Sequence, residues 1–521
     1  MKKIYFLIAA AVLVFLGASC TDDLDQKPVI GNTSEQVYST VEGYRSVLAK
    51  VYASYSIIGA ERGGGSTDIS SNQGQDMLRT LFNLQELPTD EAAYKYMSGD
   101  NLTNISYMNW DANDVWVSDA YYRLYYIIAL SNEFLRYCDE GSLARFSESE
   151  QETLRTYALE ARFLRAYTYY HVLDLFGKGP YVDQDSPMTA YIPEAYDGKR
   201  LYDFIKSEID AIAPQMPDSP SYARAGKGAA YALGARLALN GQVYTGTSHA
   251  DEAIAYCKQV MALGYTLESD YGKLFNADND RRTNEIIFAF ATDNANSATW
   301  GSATYLVAGA CPNDGDDVTA LYGVGSAWGN FSMRGEVTSL FADGDRRFLF
   351  LTDGRSEFFT GGIETASEGY RPIKWTNLDD EGNQACTTDI GVNTDFPIFR
   401  LSEIYLTAAE AVLRGGSGMT RAEALELVNA VRTRAYGDNS GNITDAQLNL
   451  AFILDERGRE FYHELHRRTD LVRFDSFAGS NYNWQWKGGV LDGRGVDRRY
   501  NIYPIPAAEL SANPNLKNEL Y

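Results

Sequence analysis

What most constrains this chain is a set of helical runs that come in pairs, with small residues where two helices must touch. From Asp119 to Glu140, apolar and aromatic residues recur at helical spacing (Tyr122, Tyr125, Ile128, Phe134, Leu135). A second run, Ser147 to Phe176, stops at Gly177 with Pro180 beyond it, the glycine-then-proline ending typical of a helix. The run Ala230 to Leu237 ends at Gly241, and its partner opens at Asp251. Gly234 and Ala253 lack bulk, so these two helices can approach closely, as in a tetratricopeptide unit. Leu401 to Leu413 and Thr420 to Arg434 repeat the logic, with Ala408, Ala409 and Ala424 at the contact positions. Helix pairs of this kind stack into a superhelical frame. The predicted fold is therefore mostly α: a tetratricopeptide-like helix-pair superhelical scaffold with long irregular loop insertions and a little β.

The pairs are not contiguous. Scaffold is expected at about 33–58, 119–264 and 398–475, within a single domain over 20–521. Between these stretches, residues 59–118 are rich in Gly, Asn, Asp and aromatics. Residues 265–395 mix short β-like runs (Ile286 to Ala291, Ala303 to Val307) with Gly-rich turns. Loops carried by a rigid frame are where binding surfaces are usually built, so 59–118 and 265–395 are the candidate ligand-binding regions. The 37 tyrosines and 7 tryptophans fit that reading, because many fall in Gly- and Asn-rich segments. Their flat apolar faces and polar tips suit a surface that stacks on ligands while staying wet. A net charge of −24 argues against nucleic acid, anionic lipid and polyanionic sugars as ligands.

The N-terminus reads as an export signal. Lys2 and Lys3 precede 13 apolar residues, Ile4 to Leu16, and Gly17, Ala18 and Ser19 then lead into Cys20. A run this short falls below a transmembrane span of about 20 residues and matches a signal peptide over 1–19. A cysteine directly after the small-residue cleavage site is the lipid acceptor of bacterial lipoproteins, so Cys20 is the expected anchor and the mature chain should lie on a membrane. Asp22, Asp23 and Asp25 follow it in an acidic, flexible tether. Cys138, Cys257, Cys311 and Cys386 are scattered without CxxC spacing, which implies neither a metal site nor a disulfide framework.

No catalytic constellation emerges. His463-Glu464-Leu465-His466 lacks the i, i+4 histidine spacing of a zincin, and GxSxG, P-loop and GxGxxG patterns are absent from strand-to-helix contexts. His463 and His466 sit in an Arg- and Glu-rich run, Asp455 to Phe474, read as one helix whose solvated or salt-bridged face explains them. A glycosidase carboxylate pair is defined by geometry rather than spacing, so a surface glycoside hydrolase on an α-helical toroid stands as the alternative. The expectation is a non-enzyme without cofactor.

Six blocks carry a resemblance that runs from end to end. They are Cys20-Thr21-Asp22-Asp23-Leu24-Asp25 with Gln26-Lys27-Pro28, Glu160-Ala161-Arg162-Phe163-Leu164-Arg165, Phe399-Arg400-Leu401-Ser402-Glu403, Glu456-Arg457-Gly458-Arg459-Glu460-Phe461, Arg468-Thr469-Asp470-Leu471-Val472-Arg473-Phe474 and Tyr503-Pro504-Ile505-Pro506. With them the chain resembles the SusD/RagB family of outer-membrane nutrient-uptake lipoproteins. Most of these Arg and Glu residues are expected to tie helices together. Loop sequences are similar to those of the starch-binding members: Glu86-Leu87-Pro88-Thr89-Asp90-Glu91 ahead of Tyr94 and Tyr96, Trp300 to Val307, the Trp328 segment, and Trp484-Gln485-Trp486-Lys487-Gly488-Gly489.

That resemblance implies a site. In such members three aromatics form an arc along a curved α-1,4-glucan, and the matching residues are Tyr96, Trp300 and Trp328. Tyr96 stands where the starch binder has tryptophan and Trp300 where it has tyrosine. Arg79 matches a hydrogen-bonding arginine, and Tyr94 is a further contact or a support. The family's amide falls at about Gly99, which leaves Asp100 or Asn101 to substitute. It also implies non-catalytic capture of starch or malto-oligosaccharide at the cell exterior and delivery to a SusC-like TonB-dependent transporter. Another neutral glycan, or a peptide as in RagB-type members, is the alternative cargo. Some family members hold a structural calcium, for which Asp278, Asp280 and Asp395 offer hard oxygen ligands.

Overall fold

The structure, a computed structural model, describes residues 33–64, 66–69, 75–365, 367–386 and 390–521. The signal peptide, Cys20 and the acidic tether lie outside the described residues. The chain divides into two compact units between Val47 and Leu48. In the first, Thr33 and Gln36 form a reciprocal capping box on the helical turn Ser34–Val37, and the rings of Tyr38 and Tyr44 meet edge to face at 4.9 Å.

Helices of seven or more residues are, in chain order, α1 (Val41–Ala53), α2 (Met77–Gln85), α3 (Val115–Arg136), α4 (Glu148–Phe176), α5 (Gly198–Ile212) and α6 (Lys227–Leu239). They continue with α7 (Ala250–Met261), α8 (Ser302–Ala310), α9 (Leu401–Leu413), α10 (Arg421–Tyr436), α11 (Leu450–Phe461) and α12 (Arg467–Arg473). Strands of three or more residues are β1 (Ala92–Tyr94), β2 (Ile286–Phe290), β3 (Phe331–Met333) and β4 (Phe396–Arg400). β1 pairs antiparallel with β3, and β2 with β4.

The expected pairing of helices is present. α3 packs on α4, α4 on α5, α6 on α7, α7 on α9 and α9 on α10. Local chemistry sets the ends: Ser147 and Glu150 box the start of α4, which closes on Gly177 in the left-handed region at φ 69°. At Gly234 in α6, an added Cβ would lie 2.9 Å from the Tyr256 ring of α7, so the missing side chain is what lets the pair close.

Four local expectations are corrected. The helix expected from Asp119 starts at Val115, because the Asp114 carboxylate caps it by accepting the Trp116 and Val117 N–H groups at 3.0 and 3.2 Å. Inside the region expected to be irregular lies α2, buried along its whole length. The run Ala303 to Val307 is not β-like but part of α8. A helix buried on every side shows no amphipathic period and reads like a buried strand. Finally, Asp455 to Phe474 is two helices, α11 and α12, broken where His463 and Leu465 take φ of 60° and 68°. Buried carboxylates hold the break: Glu91 accepts the His463 N–H, and Glu86 accepts the His466 N–H at 3.0 Å. His463 is accordingly buried rather than solvated, edge-on to Phe82 at 5.1 Å and to Phe331 at 5.8 Å, and His466 is buried as well. Burial pushes His463 down to about 3, so its ring is neutral.

The Arg and Glu blocks of α9 to α12 do tie the frame together. Arg347 meets Asp345, Glu456 and Glu460 at 2.7, 2.8 and 3.0 Å, and Arg400 meets Glu285, Glu460 and Glu464 at 2.8, 3.0 and 2.7 Å. Arg434 adds contacts to Glu285 and Glu460, and all of these side chains are buried. Burial alone would push the Glu460 carboxyl up, but the Arg434, Arg400 and Arg347 guanidiniums outweigh it and hold it at about 2.

Candidate binding site

Three separate pieces of chain bring the predicted aromatics together. Trp300 sits on the loop entering α8, Trp328 on the loop entering β3, and Tyr96 two residues past the end of β1. The Trp300 and Trp328 rings lie 5.7 Å apart with their planes tilted by 41°. Trp300 is 41% exposed and Tyr96 39%, while Trp328 is half-buried. Asn313 joins two of the three: its Nδ2 donates to the Tyr96 hydroxyl at 3.0 Å and to the Trp328 carbonyl at 2.9 Å. Lys95 Nζ in turn donates to Asn313 Oδ1 at 3.2 Å.

The Trp300 loop is pinned on both sides. Its indole Nε1 donates to the Gly63 carbonyl at 2.9 Å, and its own carbonyl accepts from Arg79 Nη1 at 3.0 Å. Beneath it, Asp76 caps α2 by accepting the Arg79 N–H at 2.9 Å, and also accepts from the Ser302 N–H and the Thr299 hydroxyl, each at 3.2 Å. Burial pushes the Asp76 carboxyl up to about 6, against the lowering effect of the Arg79 and Ser302 N–H groups and of the Arg123 and Arg79 charges. A Cβ at Gly301 would fall 1.9 Å from Asp76 Oδ2, so that position admits only glycine.

The polar candidates divide. Arg79, 9% exposed, lies with its guanidinium 4.1 Å from the Tyr305 ring centre and 4.0 Å from Asp100 Oδ2, so it braces the site and offers a ligand only an edge. Tyr94 is fully buried; its hydroxyl donates to Asp100, and it supports the arc instead of facing a ligand. β1 ends at Tyr94, so strand alternation does not carry through to Tyr96. Asp100 is half-buried, and its carbonyl accepts from Trp116 Nε1 at 2.8 Å. Asn101 is exposed, at φ 57°. Asn313, Lys95, Asp76 and the Gly63 carbonyl complete the site without having been singled out in the sequence.

At the suggested calcium position, Asp278 pairs with Arg281 at 3.0 Å and accepts the Asp380 N–H at 2.9 Å, while Asp395 accepts the Thr292 N–H at 2.7 Å. Among the described residues no group of three or more His, Cys, Asp or Glu side chains is placed to hold a metal ion. Cys138, Cys257, Cys311 and Cys386 are free thiols.

Fold and site together define a helical scaffold protein that presents a tilted aromatic surface. The model of the SusD family matches residues 360–521, and a model described as starch-binding, associating with outer membrane, matches residues 72–239. The chain is 32% identical to the starch-binding protein SusD of Bacteroides thetaiotaomicron over 574 residues, which cover 100% of this chain and 99% of that protein. The chain belongs to the SusD family. A SusD-like protein of Bacteroides ovatus is 22% identical over 94% of this chain and 87% of its own. Among solved structures, surface glycan-binding protein A from Bacteroides thetaiotaomicron in complex with laminarihexaose has the same fold. Its TM-score is 0.67 at 17% identity, over 91% of this chain and 98% of that one.

Proposed function

We propose that this protein is a non-catalytic, lipid-anchored receptor on the outer membrane. It captures starch or malto-oligosaccharide and passes it to a SusC-like TonB-dependent transporter. The observation that carries the reading is the pair of tryptophan plates 5.7 Å apart and tilted by 41°. A pyranose has an apolar C–H face and a hydroxyl rim, so it binds an aromatic plate with polar groups at its edge. Plates that are not parallel favour a chain that turns from one sugar to the next, as an α-1,4-glucan does. Stacking contributes about 1–3 kcal/mol per unit in the comparable nucleobase case, while each hydroxyl nets about 1 kcal/mol because it exchanges water for protein. Such an open arc binds weakly, and many copies anchored through Cys20 on one cell compensate.

Affinity gels with amylopectin, pullulan, dextran and levan test the reading. Amylopectin should retard the protein, and Trp300→Ala or Trp328→Ala should each weaken that binding about tenfold with melting unchanged. Retardation by levan or dextran in place of amylopectin would transfer the role to another neutral glycan. Release of reducing sugar by the purified protein would overturn the non-catalytic assignment.

A further inference from the structure

The segment that carries Tyr96 and Asp100 runs on through a short helical turn, Thr103–Ser106, to Tyr107. Tyr107 borders a cavity of ≈ 460 Å³, walled by residues 103–109 on one side and by the 488–500 stretch on the other. That size lies in the range of about 300–1,000 Å³ usual for small-ligand pockets. The half-buried Tyr107 ring is stacked on Trp486, centroids 5.8 Å apart and planes 27° from parallel. Trp486 belongs to the Trp484–Gly489 stretch, which the Trp300–Trp328 arc does not use.

This loop is built to aim Trp486. Its neighbours Trp484 and Lys487 are buried, with Lys487 Nζ donating to the Tyr482 and Gly479 carbonyls at 2.6 and 3.0 Å. Trp486 itself sits at φ 69°, a left-handed conformation that is costly for a bulky side chain. It is held there by its N–H, which reaches the Val490 and Leu491 carbonyls at 3.0 and 3.2 Å. Its indole Nε1 is buried with no hydrogen-bond partner among the described residues. Gly489, at φ 76°, lies beside the Tyr107 ring, where an added Cβ would stand at ordinary contact distance, 3.7 Å from ring atoms Cγ and Cδ2. Exposed Asn104 and Asn109 supply amides at the rim, and exposed Arg494 and Asp497 supply charges of opposite sign. A half-buried aromatic ring bordering a cavity, with an amide rim of balanced charge, suits an uncharged polyhydroxyl ring.

We propose that Tyr107, backed by Trp486, is the plate of a second saccharide subsite that takes a neutral pyranose unit and is separate from the Trp300–Trp328 arc. Its ligand class rests on the proposed glycan capture, but none of its residues belongs to the arc. A polymer long enough to reach both plates gains by the second attachment, whereas a short oligosaccharide does not.

The test compares the full chain with Trp300→Ala/Trp328→Ala, and with that pair carrying Tyr107→Ala or Asn104→Ala in addition. Calorimetry with maltoheptaose and affinity gels with amylopectin, pullulan, dextran and levan are the readouts, with melting curves alongside. The arc-less protein should keep weak glycan binding, which Tyr107→Ala lowers about tenfold. Asn104→Ala, an exposed change that leaves the fold alone, should lower it in the same direction. Arc-less protein that binds none of these glycans would overturn the subsite, as would binding that survives both additional changes. Binding that ignores loss of the arc but disappears with Tyr107→Ala would instead sink the arc and leave the second subsite standing.

Discussion

Asn313 commits its side-chain amide nitrogen to two targets, the Tyr96 hydroxyl and the Trp328 carbonyl. Asn313→Ala should therefore loosen the arc without opening the core. Starch affinity should fall several-fold, short of the roughly tenfold loss expected from removing a plate by Trp300→Ala, with an unchanged melting temperature in both. Affinity electrophoresis beside differential scanning calorimetry checks both values. Trp300 and Trp328 were legible because they stand in Gly- and Ser-rich loops similar to those of the starch-binding members. Asn313 sits in a Pro312-Asn313-Asp314-Gly315 turn whose composition signals only a turn. The Gly63 carbonyl that holds Trp300 is backbone and leaves no trace in a sequence.

Among the elements, α2 and the turn into α8 decide whether Trp300 is presented at all. Asp76 reaches from the cap of α2 to the Ser302 N–H at the start of α8, and Gly301 leaves room for it. Gly301→Ala puts a methyl inside that contact. It should cost about 1–3 kcal/mol as overpacking and weaken starch binding together with stability, visible as a lowered midpoint in urea unfolding. The helix pairs α3–α4, α6–α7 and α9–α10 were readable because each carries an apolar period or a cap or stop, and the last two also carry small residues at the contact. The break between α11 and α12 was not, since its cause lies more than 370 residues upstream, in Glu86 and Glu91. Nor was α8, because a helix surrounded by protein loses the polar face that would mark it.

At the scale of the whole molecule the frame is bolted by buried charge. Glu460 has a folded value of about 2, below its ordinary 4.5, so its contribution is complete above pH 4.5 and lost as pH falls through 2. That window carries on the order of 3 kcal/mol, so Glu460 lowers the unfolding midpoint as pH falls from 4.5 to 2, while Asp76, raised to about 6, acts in the opposite sense as pH rises from 3.8 to 6. Arg347→Met strands Asp345 and takes one of several cations from Glu456 and Glu460, and should cost about 3–5 kcal/mol, measured by denaturant titration. Binding should behave differently from stability: a neutral glycan feels little of a net charge of −24, so starch retention should be nearly independent of salt between 50 and 500 mM, roughly. The fixed indole of Trp300 has a last consequence. Its N–H already belongs to Gly63, so what that plate offers a passing sugar is a face without a donor. Such a plate reads the bend of a polymer and is blind to which way each hydroxyl points, so telling one epimer from another is left to the groups around its edge.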